Sequence, residues 1–236
     1  MISFAVAALA ALLVFGLWFP GIYQHLSGGR ELFMLIVAVD VVLGPLLTFV
    51  AFDLRKGWPH VRRDLAIIGA FQLAALIYGL HTVYIARPVA MVFEVDRFRV
   101  VIAHDVHRPD LPKANLEYQK LPVTGPLLLG TRPARPGDER NEAIFMGIQG
   151  IDIGMRPNFW VPYEQSRSAV QRAARPLAEL LQRYPERAES IRARLAAKGG
   201  DERETFFIPI LARTDWVALL RADASIIEFE NVDGWF

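Results

Sequence analysis

The sequence predicts a membrane protein: three transmembrane α-helices followed by a soluble α+β domain. Three observations carry this prediction. First, residues 1–86 hold only five of the 26 Lys/Arg (Arg30, Arg55, Lys56, Arg62, Arg63) and four of the 25 Asp/Glu (Glu31, Asp40, Asp53, Asp64). Second, the remaining 150 residues carry 21 basic and 21 acidic groups, the profile of an ordinary soluble domain. Third, the stretches Met1–Phe19, Leu32–Phe52 and Asp64–Ala86 are apolar, and about 20 apolar residues cross a hydrocarbon core of roughly 30 Å. This partition excludes a single soluble globule, a disordered chain and a coiled coil. The net charge of +1 leaves no basic footprint for nucleic acid. The absence of cysteine excludes disulfides, thiolate catalysis and Cys-ligated zinc.

The chain therefore divides into a transmembrane domain, 1–86, with helices of about 1–19, 32–52 and 64–86, and a periplasmic α+β domain, 87–236. The first stretch reads as a retained helix. A signal peptide would show a charged start and an apolar run of about 7–15 residues. The missing basic start leads us to expect the natural N-terminus upstream. Trp18, Phe19, Tyr23, Trp58 and Tyr84 have the character of interfacial aromatics. The 53–63 loop carries four basic residues and the Pro20–Glu31 loop one. Positive-inside then places the N-terminus and the 53–63 loop in the cytoplasm, with everything after Ala86 outside. In a bacterium the location is the inner membrane, multi-pass, with the last domain in the periplasm.

Polar groups at membrane depth face protein or water, because burying them in lipid is costly. Asp40 is the only acid well inside a predicted span. With Gly44 and Thr48 it lines one helical face at i, i+4, i+8, and Pro45 frees the Val41 carbonyl and predicts a kink. Gly69, Gln72, Ala75, Gly79 and Thr82 form a second stripe of small or polar residues, which lets helix backbones approach. We expect the second and third spans to pack as an antiparallel hairpin along these stripes. At ~1.5 Å per residue Asp40 lies about 12 Å below the outer boundary, level with Tyr78. It reads either as a satisfied packing residue or as a docking or relay group. The partner-docking and helix-packing candidates are thus Asp40, Gly44, Pro45, Thr48, Gln72, Tyr78 and Gly79.

Arg87-Pro88 ends the third helix; 88–95 then reads as an extended strand and 97–103 as its hairpin partner, turning at Val95–Arg97. Residues 105–140 are rich in proline and glycine and read as one short helix and a loop, with 131–137 the most loop-like piece. A short helix follows, capped by Asn141, and 149–157 turns. Residues 164–184 read as an amphipathic helix kinked or split at Pro176. A further helix, 185–198, opens with proline and stops at Gly199-Gly200. Residues 205–212, 216–221 and 225–229 read as closing strands. About 150 residues suffice for an independent core.

Signatures of catalysis are missing. The chain has no Gly-x-Ser-x-Gly elbow, His-Glu-x-x-His helix or phosphate-binding Gly-Lys-Ser/Thr loop. Only one carboxylate lies deep in a predicted span, whereas an aspartyl site needs two. His104 and His107 lack identifiable third and fourth ligands and read as a solvated turn. We expect neither an enzyme nor a cofactor nor a metal. The arginines of 167–194 alternate with glutamates and read as a solvated face.

Several strings resemble a known family: Val39-Asp40-Val-Val-Leu-Gly-Pro-Leu-Leu-Thr48, Gln72-Leu-Ala-Ala-Leu-Ile-Tyr-Gly79 and Ala86-Arg-Pro-Val-Ala-Met-Val-Phe-Glu-Val-Asp-Arg-Phe98. Gln149-Gly-Ile-Asp152, Arg156-Pro157, Val161-Pro-Tyr163, Asp215-Trp216 and Asp233-Gly-Trp-Phe236 extend the match over most of the chain. Together they resemble the type IV pilin accessory proteins of the TfpX/TfpZ family. The resemblance implies a non-enzymatic inner-membrane protein, a chaperone assisting the stability or assembly of a specific type IV pilin. Its implied partners are the major pilin, other pilus assembly components and membrane lipids. Periplasmic contact candidates are Arg87, Glu94, Arg97, Asp152, Arg156 and Trp216. Asp40 lies in the outer half of its predicted span and is read as an internal organiser of the hairpin. The competing reading is a membrane-tethered periplasmic sensor or ligand-binding module, against which the inside loops are too short for an output domain.

Overall fold

A computed structural model describes residues 2–38 and 58–236, which divide into two units at Arg87/Pro88. In the first unit α1 (Ile2–Leu13) runs into a π-helical turn, Val14–Trp18. The chain then folds back through Pro20 and Gly21, the latter at φ 57°. Two helices follow, α2 (Tyr23–Leu26) and α3 (Gly29–Ala38), and beyond residue 57 comes α4 (Trp58–Ile85). Val14, Trp18, Phe19, Phe33 and Val83 form a buried cluster. Phe15 meets Phe33 edge-on at 4.9 Å, and Trp18 meets Tyr84 at 5.2 Å.

The expectation of three transmembrane helices is corrected by this arrangement. Among the described residues one helix, His60–Ile85, is long and apolar enough to cross a membrane, with a mean hydropathy of 1.6. The apolar helical stretch Ala5–Trp18 spans only about 21 Å at 1.5 Å per residue, short of the roughly 30 Å of a hydrocarbon core. Its end is set by the π turn and Pro20, which has no N–H to continue the ladder. Counting apolar residues did not register that fold-back. It also buries Trp18 and Phe19, whose sequence positions predict interfacial aromatics. The predicted 32–52 segment is described only as far as Ala38.

The second unit is a mixed sheet with helices. Its first strands, β1 (Pro88–Glu94) and β2 (Arg97–Ile102), form the hairpin expected from the sequence, with Val95 at φ 54° in the turn. Next come β3 (Leu127–Thr131), α5 (Asp138–Ile148) and β4 (Trp160–Pro162). The predicted 164–184 helix is split at Pro176, as expected, into α6 (Arg167–Ala173), the two-residue β5 (Arg175–Pro176) and α7 (Leu177–Arg183). Pro176 explains the break, because proline drives the preceding residue into extended backbone. After α8 (Pro185–Ala197), strands β6 (Thr205–Leu211), β7 (Trp216–Arg221) and β8 (Ile226–Glu230) complete the sheet.

Strand order is β4-β3-β1-β2-β6-β7-β8, with β5 also on β6. The β1–β3 and β2–β6 pairs are parallel and the rest antiparallel. Two cores result. Leu177, Leu180, Ile191 and Leu195 of α7 and α8 pack with Phe207, Val217 and Leu219. At the β1 end Val89, Val92, Val101, Tyr118, Leu129 and Trp160 pack together. β1 is buried along its whole length, as expected of a strand at the middle of a covered sheet.

Candidate functional site

The most developed polar arrangement lies where β1 and β2 meet the 149–157 segment. Glu94 ends β1 opposite Arg97, so Arg99, two residues further on, shares its face of the sheet. The Arg99 guanidinium bonds the buried Glu94 carboxylate at 2.6 Å and also the Asp152 carboxylate. The Gly154 N–H donates to the second Glu94 oxygen at 2.8 Å, and the Gly154 carbonyl accepts the Trp160 indole N–H at 2.8 Å. A Cβ at Gly154 would lie 2.5 Å from that Glu94 oxygen, so the close backbone approach requires glycine. Gly154→Ala is expected to cost about 1–3 kcal/mol, the penalty for disturbing a buried hydrogen bond to a carboxylate. Urea unfolding of the full chain measures it.

A second cluster adjoins the first along the chain. Arg156, whose side chain is almost wholly buried, donates from Nε to Asp110 at 2.6 Å and from Nη2 to Glu142 on α5 at 2.7 Å. Asp110 also receives Lys113 at 3.1 Å and pairs with His107 Nδ1 at 3.0 Å. Burial pushes the Asp110 carboxyl up. The hydrogen bonds from Arg156, His107 and Lys113 outweigh it and hold the group below its ordinary value. Burial likewise disfavours charged Arg156, and the Asp110 hydrogen bond reverses the balance and raises it. Arg132 grips Glu139 of α5 by two bonds, 2.7 and 2.9 Å, and the Arg135 backbone N–H adds a third. These bonds bring the Glu139 carboxyl down to about 2. Both arginines that hold α5 lie against one fully buried ring: Arg132 is 4.7 Å and Arg156 5.0 Å from the Phe159 centroid.

Of the partner-contact candidates beyond Ala86, Asp152 and Arg156 lie on the 149–157 segment and Glu94 binds it. The others stand apart. Arg97 pairs with Asp96 at 3.0 Å and lies 5.1 Å from the Trp235 ring. Trp216 donates to Thr214 at 2.8 Å. Arg87, in the first unit, donates to the Tyr84 carbonyl at 2.7 Å and stacks on its ring at 3.8 Å. In α4, Gly79 faces Ile36, whose nearest carbon would be 3.0 Å from an added Cβ. Tyr78 is 74% exposed, and Gln72 is half-buried. Asp40, Gly44, Pro45 and Thr48 lie outside the described residues.

Sequence reasoning missed Arg99, Asp110, Arg132, Glu139 and Glu142. The Glu94/Arg99 diagonal was recoverable from hairpin parity. The Asp110–Arg156 pair, 46 residues apart, left no local signal. Among the described residues no three His, Cys, Asp or Glu side chains are grouped to hold a metal ion. His107, expected in a solvated turn, is instead half-buried and paired with Asp110.

Guanidinium groups occupy these carboxylates, and the arrangement seats a loop and a helix. Fold and site together define a protein with an apolar helical unit and a mixed-sheet domain. Comparison with known proteins agrees in kind. A family model described as "Fimbrial assembly protein FimB" matches residues 1–28. The "Fimbrial assembly protein, serogroup I" of Dichelobacter nodosus is 35% identical over the whole chain and 93% of its own length. The serogroup E1 protein of the same organism is 34% identical over the same shares. The protein of serogroups C1 and C2 is 43% identical over 48% of this chain and 87% of its own length. The chain belongs to the fimbrial assembly protein family. No solved structure matches it.

Proposed function

We propose that this protein is a non-enzymatic accessory factor in type IV fimbria assembly, supporting the stability or assembly of a particular pilin. One observation carries the reading: kinship to fimbrial assembly proteins extends over the entire chain, both units included. The finer TfpX/TfpZ assignment rests on the strings quoted above and on this kinship. In our reading His60–Ile85 anchors the protein in the bacterial inner membrane. The basic residues Arg55, Lys56, Arg62 and Arg63 hold the start of that helix in the cytoplasm, and the mixed-sheet domain lies in the periplasm. Its partners are the pilin and other pilus components, with lipid around the anchor.

Deleting the gene in a strain that makes the cognate pilin tests this. Surface fimbriae are expected to disappear, and complementation with the intact gene is expected to restore them. Unchanged pilin abundance together with unchanged fimbriation would sink the proposal.

A further inference from the structure

α5 is an unusual helix: none of its 11 residues is buried. A helix of that length is marginal alone in water, so something other than core packing must hold it. The holders are the Arg132–Glu139 and Arg156–Glu142 ion pairs, both arginines braced on the Phe159 ring. At about 100° per residue, Glu139, Glu142 and Met146 fall on one side of α5 and Ile144 and Ile148 on the other. Ile144, Phe145 and Ile148 are 56%, 61% and 81% exposed. Ala143 and Gly147, small and half-buried, run beside the Ile144/Ile148 row. A ridge at i, i+4 next to a shallow groove at the same spacing is the surface into which another helix packs.

We propose that Ile144, Phe145 and Ile148 form the docking ridge for an apolar helical face on the fimbrial subunit. The proposal rests on the assembly function proposed above. Three features select this occupant. The ridge offers on the order of 400 Å² of apolar surface, about half the ~800 Å² per partner of a standard interface. A stable dimer with a second copy needs more, whereas a client that must be handed on suits a small contact. α5 carries Asp138, Glu139 and Glu142 against one base, Arg140, the opposite of the Lys/Arg-rich face that lies on an anionic bilayer. The segment that pins α5 is seated at Glu94, and Pro88, where the chain enters the domain, is at the other end of β1, about 20 Å away.

A photo-crosslinking residue in place of Ile148, in the full-length chain within cells making the cognate subunit, is expected to capture that subunit. The same group in place of Glu189 on α8 is the control and is expected to capture none. Ile148→Ser is expected to leave the protein level unchanged, since the site is exposed, while lowering subunit recovery with the tagged chain about tenfold or more. Adducts with a second copy or with lipid, or no subunit adduct from position 148, overturn the docking ridge if deletion still abolishes fimbriae. Fimbriae that persist after deletion overturn the assembly reading, and the ridge with it.

Discussion

Asp110→Ala is expected to destabilise the mixed-sheet domain by about 3–5 kcal/mol, because it removes one partner of a buried ion pair. The Asp110 and Arg156 side chains are each 1% exposed. Without the carboxylate, the Arg156 guanidinium keeps only Glu142, and its Nη1 already has no hydrogen-bond partner. A loss of this size is a large share of the roughly 5–15 kcal/mol that holds a domain folded. Chemical unfolding of the full chain in detergent measures it, and a loss below about 1 kcal/mol would show that the pair is not what seats this segment. The effect has a pH signature. The folded-state pKa of Asp110 lies below its ordinary value of 3.8. Its contribution is therefore complete above that value and is lost as pH falls through the folded-state pKa. The difference between wild type and Asp110→Ala is expected to be constant near neutrality and to close only in strong acid. Replacing both partners, Asp110→Leu with Arg156→Met, is expected to cost less than the single change, since no buried charge of the pair is then stranded.

Trp160→Ala is expected to be as damaging by another route. The indole is fully buried, meets the Tyr118 ring edge-on at 6.3 Å, and packs in the cluster around Val89, Val92 and Val101. Truncating a buried tryptophan costs about 3–5 kcal/mol, part transfer and part cavity. It also strips the Gly154 carbonyl of its 2.8 Å donor, at the residue whose N–H holds Glu94. Trp160→Phe keeps most of the volume and loses the hydrogen bond, and should fall between. A protease-susceptibility titration against urea orders the three proteins. Equal stability for Phe and wild type would show that the indole N–H contributes little.

The same residues show what a sequence can and cannot display. The β1–β2 hairpin was legible because its signal is local: two apolar-rich extended runs joined by a short turn. α8 was legible because Pro185 opens it and Gly199 follows it. β3 and β4 were not, since strands of five and three residues carry little periodicity. Their existence depends on parallel pairing of β3 with β1, whose register no turn fixes. The three-span reading failed for a related reason. Hydropathy counts apolar residues, but the fold-back at Pro20 and Gly21 packs them on each other. At the site, Glu94, Asp152 and Arg156 stood out in the sequence, whereas the groups they bind did not. Charges that satisfy one another across 46 or 53 residues look like ordinary surface charges until the chain folds.

The position of the first hairpin within the sheet has a consequence for how the domain is made. β1 and β2 are synthesised first, yet they sit in the middle of the strand order, and β2 pairs with β6 through Phe98 and Ile210. That contact closes a loop of more than a hundred residues, so its closure entropy is spent before the β2–β6 pairing returns any energy. Until residue 211 is available, β2 carries an open edge, the kind of surface that pairs with neighbouring chains. Folding of this domain is therefore expected to be slow and all-or-nothing with respect to its C-terminal third. Truncation within β6 to β8 should yield aggregated or degraded protein, not a smaller working domain.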